Sequence, residues 1–137
     1  MFSLSRTNSS ISFCVSNNNK ISAYNSTNSF AGGVSGNLEN STLSNCTSSS
    51  NTVATCSTSN CSSGGLIGKL SEFSISSNSS SYFNLVSGYL SGGVVGNISQ
   101  SELSDSRFRS NVFSDFVQMG FCVANNEQST FSFFFSD

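Results

Sequence analysis

The chain has 137 residues, a formal net charge of -2 and charged side chains at only 9% of positions. It contains no His, Pro or Trp, which excludes Ser-His-Asp and Cys-His catalysis and His-ligated metal. The weak acidic balance offers no basic footprint for nucleic acid, and the length suits a single domain.

Ser, Thr and Asn number 37, 8 and 17. All three disfavour helix interiors and favour turns and corners. In the first segment, Met1 to Ser16, polar residues break every apolar pair. A signal peptide needs a basic start and an apolar run of roughly 7–15 residues, and a membrane helix needs ~18. Neither pattern occurs, so the expectation is no leader and no membrane span: an intracellular protein or a piece of a longer gene product. The next stretch, Ile11 to Asn19, aligns without a gap on Leu43 to Asn51, and marks residues 1–31 as a degenerate repeat.

Three clearer copies follow. They are GGVSGNLENSTLS from Gly32, GGLIGKLSEFSIS from Gly64 and GGVVGNISQSELS from Gly92. Glycines recur at Gly32, Gly33 and Gly36, at Gly64, Gly65 and Gly68, and at Gly92, Gly93 and Gly96. Aliphatics at Val34 and Leu38, Leu66 and Leu70, Val94 and Ile98 alternate as on one face of a strand. No segment carries helical apolar periodicity. The reading is an all-β fold: a short right-handed parallel β-solenoid of about 28–32 residues per coil. Its coils are expected at 1–31, 32–63, 64–91 and 92–113. Residues 114–137, rich in Phe, are expected to fold over the last coil as a cap or, alternatively, to form an association-prone strand.

Stacking at equal offsets predicts three ladders. Ile11, Leu43, Ile75 and Leu103 form an inward aliphatic ladder, and Ser12, Ser44, Ser76 and Ser104 a hydroxyl ladder beside it. Asn19, Asn51 and Asn111 stack at a corner, where side-chain amides can bond along the axis. The glycine pairs make turns that need positive φ or close backbone approach.

Sites of chemistry are scarce. Five cysteines, at 14, 46, 56, 61 and 122, form no CxxC; the expectation is small buried hydrophobes, with Cys14 and Cys46 stacked as reduced thiols. Glu102 and Asp105, followed by Arg107 and Arg109, are read as a solvated corner with local ion pairing rather than a hydrolytic pair. The glycine turns lack the carboxylates a Ca²⁺ solenoid uses. Thr52, Thr55 and Thr58 suggest an ice-binding face, but do not recur in other coils. Seven N-x-S/T sequons, at Asn8, Asn25, Asn40, Asn45, Asn60, Asn78 and Asn97, occur near chance frequency and permit glycosylation without arguing for it.

Gly65-Leu66-Ile67-Gly68 is a literal G-L-hydrophobic-G motif, and Gly33-Val34-Ser35-Gly36 and Gly93-Val94-Val95-Gly96 are relatives of it. With the 28-residue spacing of the last two copies, the segment from Gly32 to Val112 resembles the GLUG repeat of large bacterial and protist surface or secreted proteins. Ser35, and Val in place of Leu in two copies, depart from the pattern. The resemblance implies a non-catalytic stalk or adhesive array at an extracellular or cell-surface location. The peptidase activity found elsewhere in some such proteins would need an HExxH motif and does not transfer to a chain without His. The expectation is therefore a structural or interaction module with no cofactor, a protein or glycan ligand of unknown identity, and end-to-end self-association. Ice binding, glycan binding, a glycan-cleaving β-helix and a disordered tract are the alternatives.

Overall fold

The structure, a computed structural model, describes residues 8–24, 28–120 and 122–133. Its regular elements there are all strands. The first circuit contains β1 (Ser10–Ser12), β2 (Val15–Asn17), β3 (Lys20–Ala23), β4 (Phe30–Gly32) and β5 (Ser35–Glu39). The second contains β6 (Thr42–Ser44), β7 (Thr47–Ser49), β8 (Thr52–Thr55), β9 (Ser62–Gly64) and β10 (Ile67–Ser71). The third has β11 (Ile75–Ser77), β12 (Ser80–Tyr82), β13 (Leu85–Gly92) and β14 (Val95–Ser99). Then come β15 (Glu102–Arg109), β16 (Val112–Gly120), β17 (Val123–Glu127) and β18 (Thr130–Phe133).

Each strand pairs in parallel with its equivalent one circuit away. One wall runs β1, β6, β11, β15, β18; the next runs β2, β7, β12, β15. The long β13 covers both β8 and β9, and the last wall runs β5, β10, β14, β17. This is the expected parallel β-solenoid. No helix is long and apolar enough to cross a membrane among the described residues.

The short strands follow from a corner every five residues. Ser41, Cys46 and Asn51 are corners of one circuit, and Ser74, Ser79 and Asn84 those of the next. At all three, the corner N–H donates to the side-chain oxygen of the next circuit's corner residue. Ser41 donates to Ser74 Oγ at 3.2 Å, Cys46 to Ser79 Oγ at 3.2 Å and Asn51 to Asn84 Oδ1 at 2.9 Å. The same bond joins Asn19 to Asn51, Asn84 to Asn111, Ser74 to Ser101 and Ser101 to Ser129. Corner hydroxyls donate back to carbonyls of their own chain, as Ser101 Oγ does to Ser99 at 2.9 Å. The residue before each corner takes the left-handed conformation; Asn40, Asn45, Ser50, Asn78 and Gln100 have φ between 46 and 54°. Asn suits that region better than most residues.

The Asn ladder is thus longer than expected, because Asn84 belongs to it. The two other ladders shift as well. Ile11 and Leu43 pair with Ser76 and Leu103, whereas Ile75 pairs with Thr42 and Glu102 and is 40% exposed. Ser77, not Ser76, continues the hydroxyl ladder of Ser12, Ser44 and Ser104. The cause is one extra residue at the third circuit's first corner, where both Glu72 and Phe73 are left-handed, with φ of 56 and 60°. Without the slip, Phe73, Asn78 and Phe83 would occupy the corners; Asn78 could still accept from Cys46, but the N–H groups of Ser41 and Asn51 would lose their acceptors. Two buried unpaired donors at ~1–3 kcal/mol each outweigh the ~1.5–3 kcal/mol from burying one Ile. The corners therefore set the register, and Ser76 fills a core position with its hydroxyl unpaired.

The main core is a column of Leu38, Leu43, Leu66, Leu70, Val94, Ile98 and Leu103. Beside it runs a polar column: Ser48 Oγ donates to the Gly65 carbonyl and Ser81 Oγ to that of Gly93. Here the repeat glycines act by close approach. A Cβ on Gly33 would lie 1.8 Å from Ser48 Oγ, and one on Gly64 or Gly92 1.8 Å from the carbonyl of Ile67 or Val95. Gly32, Gly65, Gly68 and Gly96 are equally closed by backbone oxygens, and Gly36 and Gly93 are buried in the same columns. None has positive φ; among described glycines only Gly88 does, at 151°.

The C-terminal segment is a correction too. Instead of folding over the last coil, β16, β17 and β18 extend the walls of β13, β14 and β15 in parallel. Gly120 repeats the Gly92 contact and Ser129 supplies the next corner oxygen, so the segment has what a further circuit needs. Phe134 and Phe135 lie outside the described residues.

Asn84→Ala is expected to cost about 3 kcal/mol in chemical denaturation, since it strips partners from Asn51 N–H and the Ser48 carbonyl in a dry site. Asn111→Ala, at a half-buried position, should cost less; an equal or reversed order would contradict the ladder. Ser76→Ala should raise stability by about 1 kcal/mol by removing a buried unpaired hydroxyl, read as an upward shift in Tm.

Candidate functional site

The twelve repeat residues expected to matter are structural. The nine glycines line the interior seam, Ser44 and Ser104 lie on the first wall, and Ser76 lies inside it. They converge on no pocket of shared chemistry.

The feature that stands apart is on the outside, at the first corner of each circuit. Asn40, Phe73, Gln100 and Gln128 follow one another along that corner, all left-handed and exposed. Phe73 N–H donates to the Gln100 carbonyl at 2.8 Å, and Gln100 N–H to that of Glu127 at 2.9 Å. Beside them Thr42, Ile75, Glu102 and Thr130 are in register across the outer face of the first wall. Between the two rows the ladder Ser41, Ser74, Ser101 forms a floor. The result is a groove along the solenoid axis. It includes a recess of about 430 Å³ beside Phe73, Gln100, Glu102 and Gln128, and a second that reaches Asn8 and Ser10. Phe73 lines both recesses and is 79% exposed.

The acidic and basic residues do not form a centre. Glu102, Asp105, Arg107 and Arg109 are exposed along β15. The expected ion pairing among them is absent from the described residues. No group of three His, Cys, Asp or Glu able to hold a metal occurs among the described residues. Thr52, Thr55 and Thr58 make no common face: Thr55 is buried with its hydroxyl unpaired, and Thr58 sits in a loop against Cys61 Sγ at 3.3 Å. Of the sequon asparagines, Asn40, Asn45, Asn60 and Asn78 are exposed left-handed corners, and Asn25 lies outside the described residues.

The cysteines divide into two kinds. Cys14, Cys46 and Cys122 are free. Cys14 and Cys46 occupy one corner column, with Cys46 Sγ 3.2 Å from the Ser44 carbonyl; burial pushes the Cys46 thiol up, and more strongly that of Cys122. Cys56 and Cys61, expected as unpaired hydrophobes, instead form a disulfide with Cα atoms 5.7 Å apart. It closes the 57–60 loop, which β13 of the next circuit does without. A spacing of five residues is itself no disulfide signal; the pairing depends on where β8 and β9 end.

What sequence reading missed is the five-residue corner period and the extra residue at Phe73. The first was legible, since Ser or Cys recurs at 9, 14, 41, 46, 74, 79, 101 and 106, each pair followed by Asn five residues later. No family model, no curated protein and no solved structure matches this chain.

Replacing Cys56 and Cys61 together by Ser should lower stability by about 2 kcal/mol, the loop-closure value for so short a ring. Reductant should shift the parent's Tm down similarly and leave the variant's unchanged.

Proposed function

We propose that this chain is a non-catalytic structural or interaction repeat module, acting in an adhesin-like role at a cell surface or within a longer secreted repeat protein. The observation that carries this reading is where the polar chemistry goes. Corner and interior Ser and Asn side chains bond one circuit to the next, so much of the buried polar chemistry serves to extend a regular scaffold with long exposed walls. Such scaffolds offer extended binding surfaces rather than a single cleft.

Three further features support it. The glycine repeat resembles the GLUG repeat of surface and secreted proteins. The Cys56–Cys61 disulfide suits an oxidising compartment. Strands β1 to β5 have described partners on one side only, and the face of the first circuit is a recess of about 440 Å³ edged by Cys14, Val15 and Val34. A strand edge of that kind can pair with a further circuit, whether of the same chain or of a second copy joined end to end.

Beads coated with the purified chain are expected to bind intact microbial cells, or wall material extracted from them, saturably and without releasing reducing ends on long incubation. Release of reducing ends that disappears in Glu102→Gln or Asp105→Asn would replace this reading with a glycan-cleaving enzyme.

A further inference from the structure

We propose that the groove along the Asn40–Phe73–Gln100–Gln128 corner binds an uncharged polysaccharide, with Phe73 as the platform on which one sugar ring stacks. The inference deepens the interaction-module reading and rests on it.

The first reason is the cost of Phe73 where it stands. Its corner column holds Asn or Gln in the other circuits, residues suited to water and, for Asn, to the left-handed region. Phe suits neither, and it follows a second left-handed residue, Glu72. Two left-handed residues in succession, the second aromatic, are strained backbone of the kind that collects at ligand sites. The slip also leaves Ser76 with a buried unpaired hydroxyl. What the arrangement gains is the corner hydrogen bonds to Ser74 and Asn84; what it also produces is an aromatic face held out beside a groove.

The second reason is the chemistry of the walls. Asn40, Gln100 and Gln128 on one side, and Thr42 and Thr130 on the other, are exposed; the backbone N–H groups of Asn40, Thr42, Gln100 and Thr130 bond within the solenoid, and the side-chain amides and hydroxyls face outward. Successive coils lie about 4.8 Å apart, so a linear polymer along the axis meets the amides of Gln100 and Gln128 on consecutive coils and the hydroxyls of Thr42 and Thr130 at the two ends of the groove. Glu102 is the one charged side chain in the recess beside Phe73. No cation lines it, which disfavours an anionic polymer.

The third reason separates a glycan from a peptide. An extended peptide is captured mainly through main-chain bonds to a free strand edge. Along this groove the main chain is already spent between circuits: Ile75 N–H bonds the Ser41 carbonyl and Glu102 N–H that of Ser74, at 3.0 and 2.9 Å. Side-chain amides and hydroxyls remain, with one aromatic face whose negative π-surface attracts the C–H face of a pyranose ring. A ligand rich in hydroxyls and apolar on one face fits that set.

The test is depletion binding of the full chain to microcrystalline cellulose, chitin and a β-1,3-glucan, with polygalacturonate as the charged comparison. Phe73→Asn installs the residue found at Asn40, so it should fold with an equal or higher Tm. Phe83→Asn removes another exposed left-handed Phe at a different corner. Binding to at least one neutral polymer, weakened about tenfold by Phe73→Asn and unchanged by Phe83→Asn, is the expected result. No binding to any neutral polymer, no effect of Phe73→Asn, equal loss in both variants, or tighter binding to polygalacturonate would overturn it. Adhesion of coated beads to cells that persists without binding to these polymers would overturn the glycan site and leave the module reading standing.

Discussion

A chain that turns every five residues leaves a backbone N–H at each turn that no short strand can pair, and a buried unpaired N–H costs ~1–3 kcal/mol. The rest of this structure depends on how that donor is satisfied. A Ser hydroxyl or an Asn carboxamide one circuit away accepts it, as Asn84 Oδ1 does from Asn51. The same side chain is short enough to reach its own backbone, so one residue closes its turn and fastens its neighbour. That double duty explains why the sequence is rich in Ser and Asn and still ordered. Low-complexity composition usually signals a chain that cannot bury enough apolar surface. Here hydrogen bonds between identical corners supplement a narrow core.

The seam of glycines is the counterpart on the inside. With Ser48 and Ser81 donating to glycine carbonyls, opposite walls approach so closely that a Cβ at Gly33 or Gly65 has no room. A thin cross-section makes the solenoid depend on stacking along its axis more than on packing across it. The third circuit accommodates its extra residue at one corner, so the corner hydrogen bonds to the circuits on either side are kept while Ser76 replaces an aliphatic in the core.

That extra residue links architecture to role. It turns Ile75 outward, Ser76 inward and Phe73 into the groove in a single step. A scaffold whose buried polar groups are committed to its own stacking has only its outer corners left for recognition. The corner that departs from the regular pattern is the one lined by unoccupied amides and hydroxyls.

The sequence by itself determined the class of fold. Three gapless glycine-aliphatic copies, strand-favouring alternation and the absence of Pro point to parallel coils, and the glycine positions mark the seam. It also placed Asn19, Asn51 and Asn111 in one ladder. It did not reveal Asn84, the inward Ser76, the Cys56–Cys61 bond or the groove. In a run such as Ile75-Ser76-Ser77 either serine can lie under Ser44, and aliphatic spacing favours the wrong one. Only the tertiary structure decides, because the frame is fixed by the corner hydrogen bonds to Ser74 and Asn84, acceptors about thirty positions away from their donors, and their combined strength exceeds the gain from burying one isoleucine.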